Sequence, residues 1–284
     1  MVPLIYPKKE EAYPRFKTYT LYDKDLDQDI VDCIHFFQPF YSFIPIDHLS
    51  EEKFDDAFIC GGAIFDWWNA KFSGKKPSIK DIDVYFSSWI QFSRTLNFIL
   101  MNGGRLVKVR NSDVVVEVHM PEMQGKVEGN EDCLFQLDLV SPHVCLGCAE
   151  PEEVLETFDI LNCAMCVQYK SLTTEIHALD QTKDKRMYLN SQYYDKISYF
   201  RIEKYRSKGL EISDEKCISR CDFKYGRQKD GRHEYGIREH FMLLAKENIG
   251  CVKMFMLVWE EYKKRKNQKR WNIHSRKDFL NKKK

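Results

Sequence analysis

Three aspartates carry the chemistry that stands out in this sequence. Asp81 and Asp83 form a D-x-D pair at the start of the apolar and aromatic run DIDVYF, and Asp138 lies in the later run FQLDLV. Both runs are typical of β-strands, in which alternate side chains face the same side. We therefore expect Asp81 and Asp83 to project together, Ile82 to face the core, and Asp138 to point away from its two leucine neighbours.

These carboxylates converge if their strands are neighbours in the sheet. Such a cluster repels itself unless a divalent cation neutralises it, and oxygen-only ligands favour Mg²⁺ or Mn²⁺ over zinc. Two such ions, about 3.5–4 Å apart, can activate an attacking hydroxyl and stabilise a leaving pyrophosphate. The sequence thus predicts that Asp81, Asp83 and Asp138 are catalytic metal ligands, with Asp138 also polarising the incoming hydroxyl.

A glycine pair, Gly61-Gly62, separates an apolar strand from a short helix in AFICGGAIFDWWNAKF. Because glycine has no side chain, backbone N–H groups at the head of that helix can approach a triphosphate. A D-x-D or a Gly-Gly alone is common, whereas strand-GG-helix, then strand-DxD, then strand-D is a more specific order. It indicates nucleotidyl transfer from a nucleoside triphosphate (NTP).

The same motifs resemble those of the class II CCA-adding enzymes and bacterial poly(A) polymerases, in the polymerase-β-like nucleotidyltransferase superfamily. GGAIFDWWNAK at 61–71 is similar to the pattern GGxxRDxLLGK, and KDIDVYF at 80–86 is similar to its D-x-D strand. TFDILNCAM at 157–165 is similar to RRDFTINAM. HALDQTKDKRMYLN at 177–190 is similar to D-P-x-G-G-x-x-D-L, and YFRIEKYRSKGLEIS at 199–213 resembles the neck helix. The resemblance covers about 60–213, in family order.

The resemblance implies a set of nucleotide-binding residues beside the three aspartates: Gly61, Gly62, Asp66, Asp159, Asn162, Arg201, Lys204 and Arg206. It places Asp180 and Asp184 in the positions of the family's later acidic residues.

The sequence also departs from the family. Phe65 replaces the arginine of GGxxRD, and Thr157-Phe158 replaces the arginine pair of RRDF. Arg201, Lys204 and Arg206 are spaced i, i+3 and i+5, so they do not all share one helix face. No match is visible for the family's arginine and aspartate that read the base, and base specificity is therefore not assigned.

The order of elements predicts an α+β fold, in which a small mixed β-sheet with packed helices is followed by a mostly helical region. We expect a nucleotidyltransferase domain over 1–190, a helical domain over 191–262 and a basic tail over 263–284. The cleft between the two domains would hold the NTP and the acceptor.

The tail differs in charge from the rest of the chain. Residues 262–284 contain eleven basic residues and one acidic residue, a net charge of +10, so the remainder of a chain whose total is +1 carries −9. A basic segment of this kind favours contact with a polyanion such as RNA, although a solvated, frayed terminus is an equal alternative. The candidate RNA-binding residues are Lys263, Lys264, Arg265, Lys266, Lys269 and Arg270.

The ten cysteines raise the question of a structural zinc ion. Cys145-x2-Cys148 and Cys163-x2-Cys166 approach a four-cysteine zinc spacing. However, the second pair lies in an apolar stretch that we expect in the core, where cysteines pack as small hydrophobes. Cys217 and Cys221 with His233 and His240 are a second candidate set. We favour reduced thiols over zinc in both sets.

Composition and length limit the other hypotheses. No apolar run approaches the roughly 20 residues that span a bilayer, and the first residues lack the apolar segment of a secretory signal. We therefore expect a cytoplasmic protein without a membrane partner, and we leave its oligomeric state open. The leading hypothesis is nucleotide addition to an RNA 3′ end. The alternatives are transfer to a protein or small molecule, and a binding module that keeps the fold without turnover.

Overall fold

The computed structural model describes residues 15–45, 57–109, 113–140, 150–190, 197 and 199–212. In these ranges the chain forms one eight-stranded sheet with helices packed on it. The strands are β1 (Phe16–Thr20), β2 (Ala57–Cys60), β3 (Asp81–Phe86), β4 (Arg105–Val109), β5 (Asp113–His119), β6 (Leu134–Val140), β7 (Met165–Gln168) and β8 (Ser171–Glu175). The helices are α1 (Gln28–Phe37), α2 (Gly62–Phe72), α3 (Trp89–Met101), α4 (Pro151–Leu155), α5 (Ala178–Lys183) and α6 (Tyr199–Arg206).

The sheet is mixed, with the strand order β1-β8-β7-β2-β3-β6-β5-β4. β3 and β6 run parallel, and the other neighbouring strands are antiparallel. A parallel pair needs a crossover connection, and here the chain between β3 and β6 contains α3 and the β4–β5 hairpin. The crossover brings the two aspartate-bearing strands side by side.

One face of the sheet forms the main core. Ile82, Val84, Leu137 and Leu139 point into it and are at most 3% exposed. They pack with the apolar side chains of α1, α2 and α3, together with those of the 3-10 helix Gln38–Phe43. Since side chains alternate along a strand, the residues between these positions face the opposite side. That opposite face carries the aspartates.

Local signals account for where the helices begin and end. α1 stops at Phe37, two residues before Pro39, and the chain continues as a 3-10 helix, as expected from the missing N–H of proline. The Asp27 side chain caps α1 by accepting a hydrogen bond from the N–H of Asp29, and the Ser88 side chain caps α3 by accepting one from the N–H of Gln91. Both caps are residue types that favour this position.

The expected α+β class is confirmed, including the small mixed sheet with packed helices. The domain boundaries near 190 and 262 stay predictions, because only α6 and the few residues around it are described beyond 190. None of the helices in the described ranges combines the length and the apolarity needed to cross a lipid bilayer.

Candidate active site

Asp83 and Asp138 are direct partners across the parallel strands β3 and β6. Asp81 lies two residues before Asp83 and is paired with Gln136, so it faces the same side of the sheet. Asp138 is 7% exposed, Asp83 is half-buried and Asp81 is exposed. The register thus brings the three predicted carboxylates together on the face away from the main core, at the spacing of neighbouring strand positions.

The electrostatics of this face favour a cation. Burial raises the pKa of Asp83 to about 7, and the charges of Asp81, Asp138 and Asp113 add to the rise. The ammonium of Lys204 opposes it. A carboxyl that resists ionisation beside like charges becomes a good ligand when a divalent cation supplies the missing positive charge.

The carboxylate oxygens of the three aspartates do not form a preformed metal-coordination site. Within the described ranges, no group of three or more His, Cys, Asp or Glu side chains has the arrangement of a metal centre. One oxygen of Asp138, Oδ1, accepts a hydrogen bond from Nε2 of Gln136 at 3.1 Å. The donor set itself fits Mg²⁺ or Mn²⁺, because it consists of carboxylate oxygens on neighbouring strand positions of one sheet face.

The glycine turn lies next to Asp83, as β2 pairs Cys60 with Asp83 and then turns at Gly61. Gly61 has a φ of +89°, and a Cβ atom at this position would lie 3.1 Å from Cε1 of Phe158 and 3.8 Å from Oδ2 of Asp83. The residue must therefore be glycine. The N–H of Gly61 donates to the carbonyl of Met165 at 3.1 Å, so a phosphate would be met by the N–H groups of Gly62 and the first turn of α2.

Two of the predicted nucleotide-binding aspartates bind basic residues of the chain segment that contains α6. Nζ of Lys208 lies 2.6 Å and 2.7 Å from the two carboxylate oxygens of Asp66. Arg201 makes a bidentate pair with Asp159, in which both nitrogen–oxygen distances are 2.7 Å. Burial raises the pKa of Asp66, and the charge of Lys208 counteracts this. The two ion pairs join the chain segment that contains α6 to α2 and to the loop before β7.

The other basic residues of α6 point in different directions. The charge of Lys204 acts on both Asp66 and Asp83, and its Nζ lies 5.8 Å from the centre of the Tyr205 ring. Within the part of the chain that the structure describes, Lys204 forms no ion pair within 4 Å. Arg206 instead pairs with Glu203 at 2.9 Å on the exposed side of the helix. Lys204 is therefore the α6 cation whose charge acts on Asp83 of the carboxylate cluster.

Asn162 is fully buried and its amide is used inside the protein. Nδ2 donates to Oγ1 of Thr182 and to the carbonyl of Arg186, and Oδ1 accepts from the N–H of Tyr188 at 2.6 Å. This geometry holds the segment after α5 against the 3-10 turn Leu161–Cys163. Contact of Asn162 with a nucleotide remains an untested prediction.

The two acidic residues in and just after α5 that correspond to the family's later acidic positions lie away from the three predicted catalytic carboxylates. Asp184 pairs with Arg186 just after the helix. Asp180 lines a cavity of about 650 Å³ between β1, α1 and α5, and Asp81, Asp83 and Asp138 are not among the residues that line it. Neither residue belongs to the carboxylate cluster.

Aromatic rings occupy two positions where the related pattern has arginine. Phe65 is fully buried and packs edge-on against Tyr205 of α6, with ring centres 5.3 Å apart. Phe158 is partly exposed and covers Gly61, and its ring centre lies 6.4 Å from that of Tyr85. Tyr205 is buried and hydrogen-bonded with the Cys163 thiol, and burial raises the pKa of both groups, that of Cys163 to about 12. The head of α2 is thus bordered by rings.

Sequence reasoning missed Asp113 and Lys208. Asp113 pairs with Val140 of β6, which places its buried side chain on the same sheet face as Asp138. The available signal was its position at the start of the β-branched run DVVVEVH. Lys208 lies beyond α6, and no local pattern connects it with Asp66, 142 residues earlier.

The candidate zinc and RNA sites lie largely outside the described residues. Cys163 and Cys166 are buried in the core as expected, while Cys145, Cys148, Cys217, Cys221, His233 and His240 fall outside the described ranges. The basic residues from Lys263 to Arg270 also fall outside them. Both hypotheses therefore stay predictions.

Comparison with known proteins gives remote structural likenesses. No protein-family model matches the chain, and no curated protein sequence matches it. Among solved structures, a CCA-adding enzyme in complex with ATP is 13% identical with a TM-score of 0.42, over 69% of this chain and 44% of the other. The Thermotoga maritima CCA-adding enzyme bound to a tRNA is 12% identical with a TM-score of 0.40, over 70% and 43%. The Bacillus stearothermophilus enzyme with CTP is 13% identical with a TM-score of 0.31, over 64% and 38%.

The chain spans less than half the length of each of these matched chains. The proteins found are those that the sequence motifs resemble, and the likeness is a divergent one.

Proposed function

We propose that this protein is a metal-dependent nucleotidyltransferase, which transfers a nucleoside monophosphate from an NTP to an acceptor hydroxyl. The observation that carries the proposal is the direct pairing of Asp83 with Asp138 beside Gly61 at the head of α2. Nucleotidyl transfer uses metal-binding carboxylates next to backbone N–H groups that can bind phosphate, and a helix N-terminus supplies such groups. The favoured acceptor is an RNA 3′ end.

Asp81, Asp83 and Asp138 would hold Mg²⁺ or Mn²⁺. A bound divalent cation at such a site supplies positive charge to the transferring phosphoryl group and to the leaving pyrophosphate. The raised pKa of Asp83 supports this assignment, because its causes after burial are the neighbouring carboxylates that a cation would neutralise.

Other groups of the protein would bind the triphosphate and activate the acceptor. The N–H groups of Gly62 and the first turn of α2 would bind phosphate oxygens, and Lys204 would add a positive charge on the α6 side. Asp138 would orient the acceptor hydroxyl and polarise its O–H bond. The acceptor oxygen then forms a bond to the α-phosphorus, the bond from that phosphorus to pyrophosphate breaks, and the hydroxyl proton is released.

The RNA acceptor is supported by composition. The segment that contains Lys263, Lys264, Arg265, Lys266, Lys269 and Arg270 would hold backbone phosphates without reading the bases. Transfer to a protein or small molecule uses the same three aspartates, so the acceptor is what separates these two forms of the proposal.

A second candidate function is nucleotide binding without turnover. The observation that favours it is the pair of rings, Phe65 and Phe158, at positions where the related pattern has arginines. The intact set of three aspartates weighs against it, because a binding module has no need for a self-repelling cluster.

Label transfer tests these alternatives. The full chain is incubated with Mg²⁺ and each of the four α-labelled NTPs, together with either total RNA or a protein lysate. We expect label on RNA, loss of at least about 100-fold in Asp83→Asn, and no loss in Asp132→Asn, an exposed aspartate on the β5–β6 connection. Label on protein would select the second acceptor class. Binding of NTP without any label transfer would indicate that the protein binds nucleotides but does not catalyse transfer.

A further inference from the structure

Phe158 places an apolar ring where the site otherwise presents charge. A Cβ on Gly61 would lie within 4 Å of both the Phe158 ring and the Asp83 carboxylate, so the ring edge and the carboxylate border the same small volume. The ring is partly exposed and bridges the two smaller apolar clusters of the protein. The ring is therefore packed against the protein, remains partly exposed and lies beside the site.

The ring belongs to a row of aromatic side chains on this sheet face. Phe58 and Tyr85 stack with ring centres 6.2 Å apart and planes 3° apart, and Tyr85 lies 6.4 Å from Phe158 at 45°. Tyr85 faces the same side as Asp83, two residues earlier on β3. The row thus runs from β2 across β3 to the edge of the metal-binding position.

The side chains on either side of Phe158 already have partners within the protein. Asp159, the next residue after Phe158, holds Arg201 in a bidentate pair. The side chain of Thr157 donates to the carbonyl of Val154 at 2.7 Å. Among the described residues, the side chains on either side of Phe158 are thus engaged within the protein, and its apolar ring suits the planar, uncharged part of a nucleotide and not its phosphates.

We propose that Phe158, backed by Tyr85, is the stacking surface for the base of the incoming NTP. The inference rests on the proposed function and names the residue that binds the nucleoside part of the substrate. Stacking on a ring tolerates every base, since each has a π-face. The site would therefore gain affinity from any base, and the ring alone would discriminate little between ATP and CTP.

The test compares ligands with and without a base. Dissociation constants are measured calorimetrically, with Mg²⁺ and without acceptor, for ATP, CTP and inorganic tripolyphosphate. In the wild-type protein we expect both nucleotides to bind more tightly than tripolyphosphate. In Phe158→Leu, nucleotide binding should weaken roughly 5- to 100-fold while tripolyphosphate binding is unchanged, and Phe158→Tyr should keep most of the wild-type difference.

Equal weakening of all three ligands in Phe158→Leu, or no weakening of any, would overturn the inference, since the ring would then be only a packing element. If neither nucleotide nor tripolyphosphate binds the wild type, the proposed function itself fails. A second measurement covers the case in which Phe158→Leu does not fold. The fluorescence of 2-aminopurine riboside triphosphate should be quenched when it binds the wild type, and binding without quenching would refute stacking.

Discussion

Asp83 of β3 and Asp138 of β6 face each other across parallel strands, although 55 positions separate them along the chain. The two side chains point away from the main core, and Gly61 at the end of β2 lies on the other side of Asp83. This arrangement places two carboxylates and a helix start around one point.

Metal-free protein should lose stability as pH rises through the range in which Asp83 ionises. The pKa of Asp83 is about 7 in the folded protein against an ordinary value of 3.8, so the folded state binds this proton more tightly than the unfolded state. The stability that the proton gives is complete below about pH 4 and is lost as pH rises to about 7 and above. We expect Asp83→Asn to match the wild type near pH 5 and to exceed it near pH 8, by chemical denaturation with a chelator present.

Added Mg²⁺ should remove this difference by stabilising the wild type near pH 8. Asp132→Asn serves as the control and should follow the wild-type pH profile. If the difference in free energy of unfolding between the wild type and Asp83→Asn is the same at both pH values, the pKa of Asp83 is not raised in the folded protein.

Loss of Lys208 should destabilise the contact between α6 and the sheet domain. Lys208→Met leaves the largely buried Asp66 carboxylate without its ion-pair partner, and we expect a loss of about 1–3 kcal/mol in the free energy of unfolding near pH 7. The pKa of Asp66 is already raised by burial, so protonation at low pH should shrink the loss. The measurement is urea unfolding at two pH values.

Two variants control this experiment. Arg206→Met breaks the exposed pair with Glu203 and should cost less than about 1 kcal/mol. Asp66→Asn combined with Lys208→Met removes the unpaired charge and should recover part of the loss. A double variant no more stable than Lys208→Met alone would contradict the ion-pair explanation.

Gly61→Ala should be more destabilising than Gly209→Ala. Both glycines have a φ near +90°, but a Cβ at Gly61 meets the Phe158 ring at 3.1 Å, whereas no atom of the described residues lies within 4 Å of one at Gly209. Gly209→Ala should therefore show the backbone cost alone, about 1–2 kcal/mol, and Gly61→Ala should cost more. Thermal unfolding measures both. Equal losses would mean that the ring moves aside freely.

The site was predictable where it depends on local pattern. The alternation of DIDVYF and FQLDLV determines which side chains face away from the core, so the aspartate face followed from the sequence. The strand–glycine–helix order likewise predicted the turn at Gly61. These features depend on residues within a few positions of each other, where strand and turn preferences act.

Other features depend on distant pairing, and the sequence pattern does not contain them. β1 is short, with its central positions exposed, and it is defined by its pairing with β8, about 155 positions away. Asp66 was predicted to bind nucleotide, yet its partner in the structure is Lys208, because the fold brings two distant charges together. Phe65 and Phe158 were visible only as missing arginines. What their rings contact emerged from the packing of α6 and of the loop before β7.

Manganese binding tests the central claim most directly. Bound Mn²⁺ is measured by electron paramagnetic resonance near pH 7.5 in the wild type, Asp83→Asn, Asp138→Asn and the control Asp132→Asn. The three-carboxylate account predicts binding by the wild type and the control, and at least about tenfold weaker binding by both site variants. Wild-type affinity in Asp83→Asn, or no binding by the wild type up to about millimolar Mn²⁺, would contradict it.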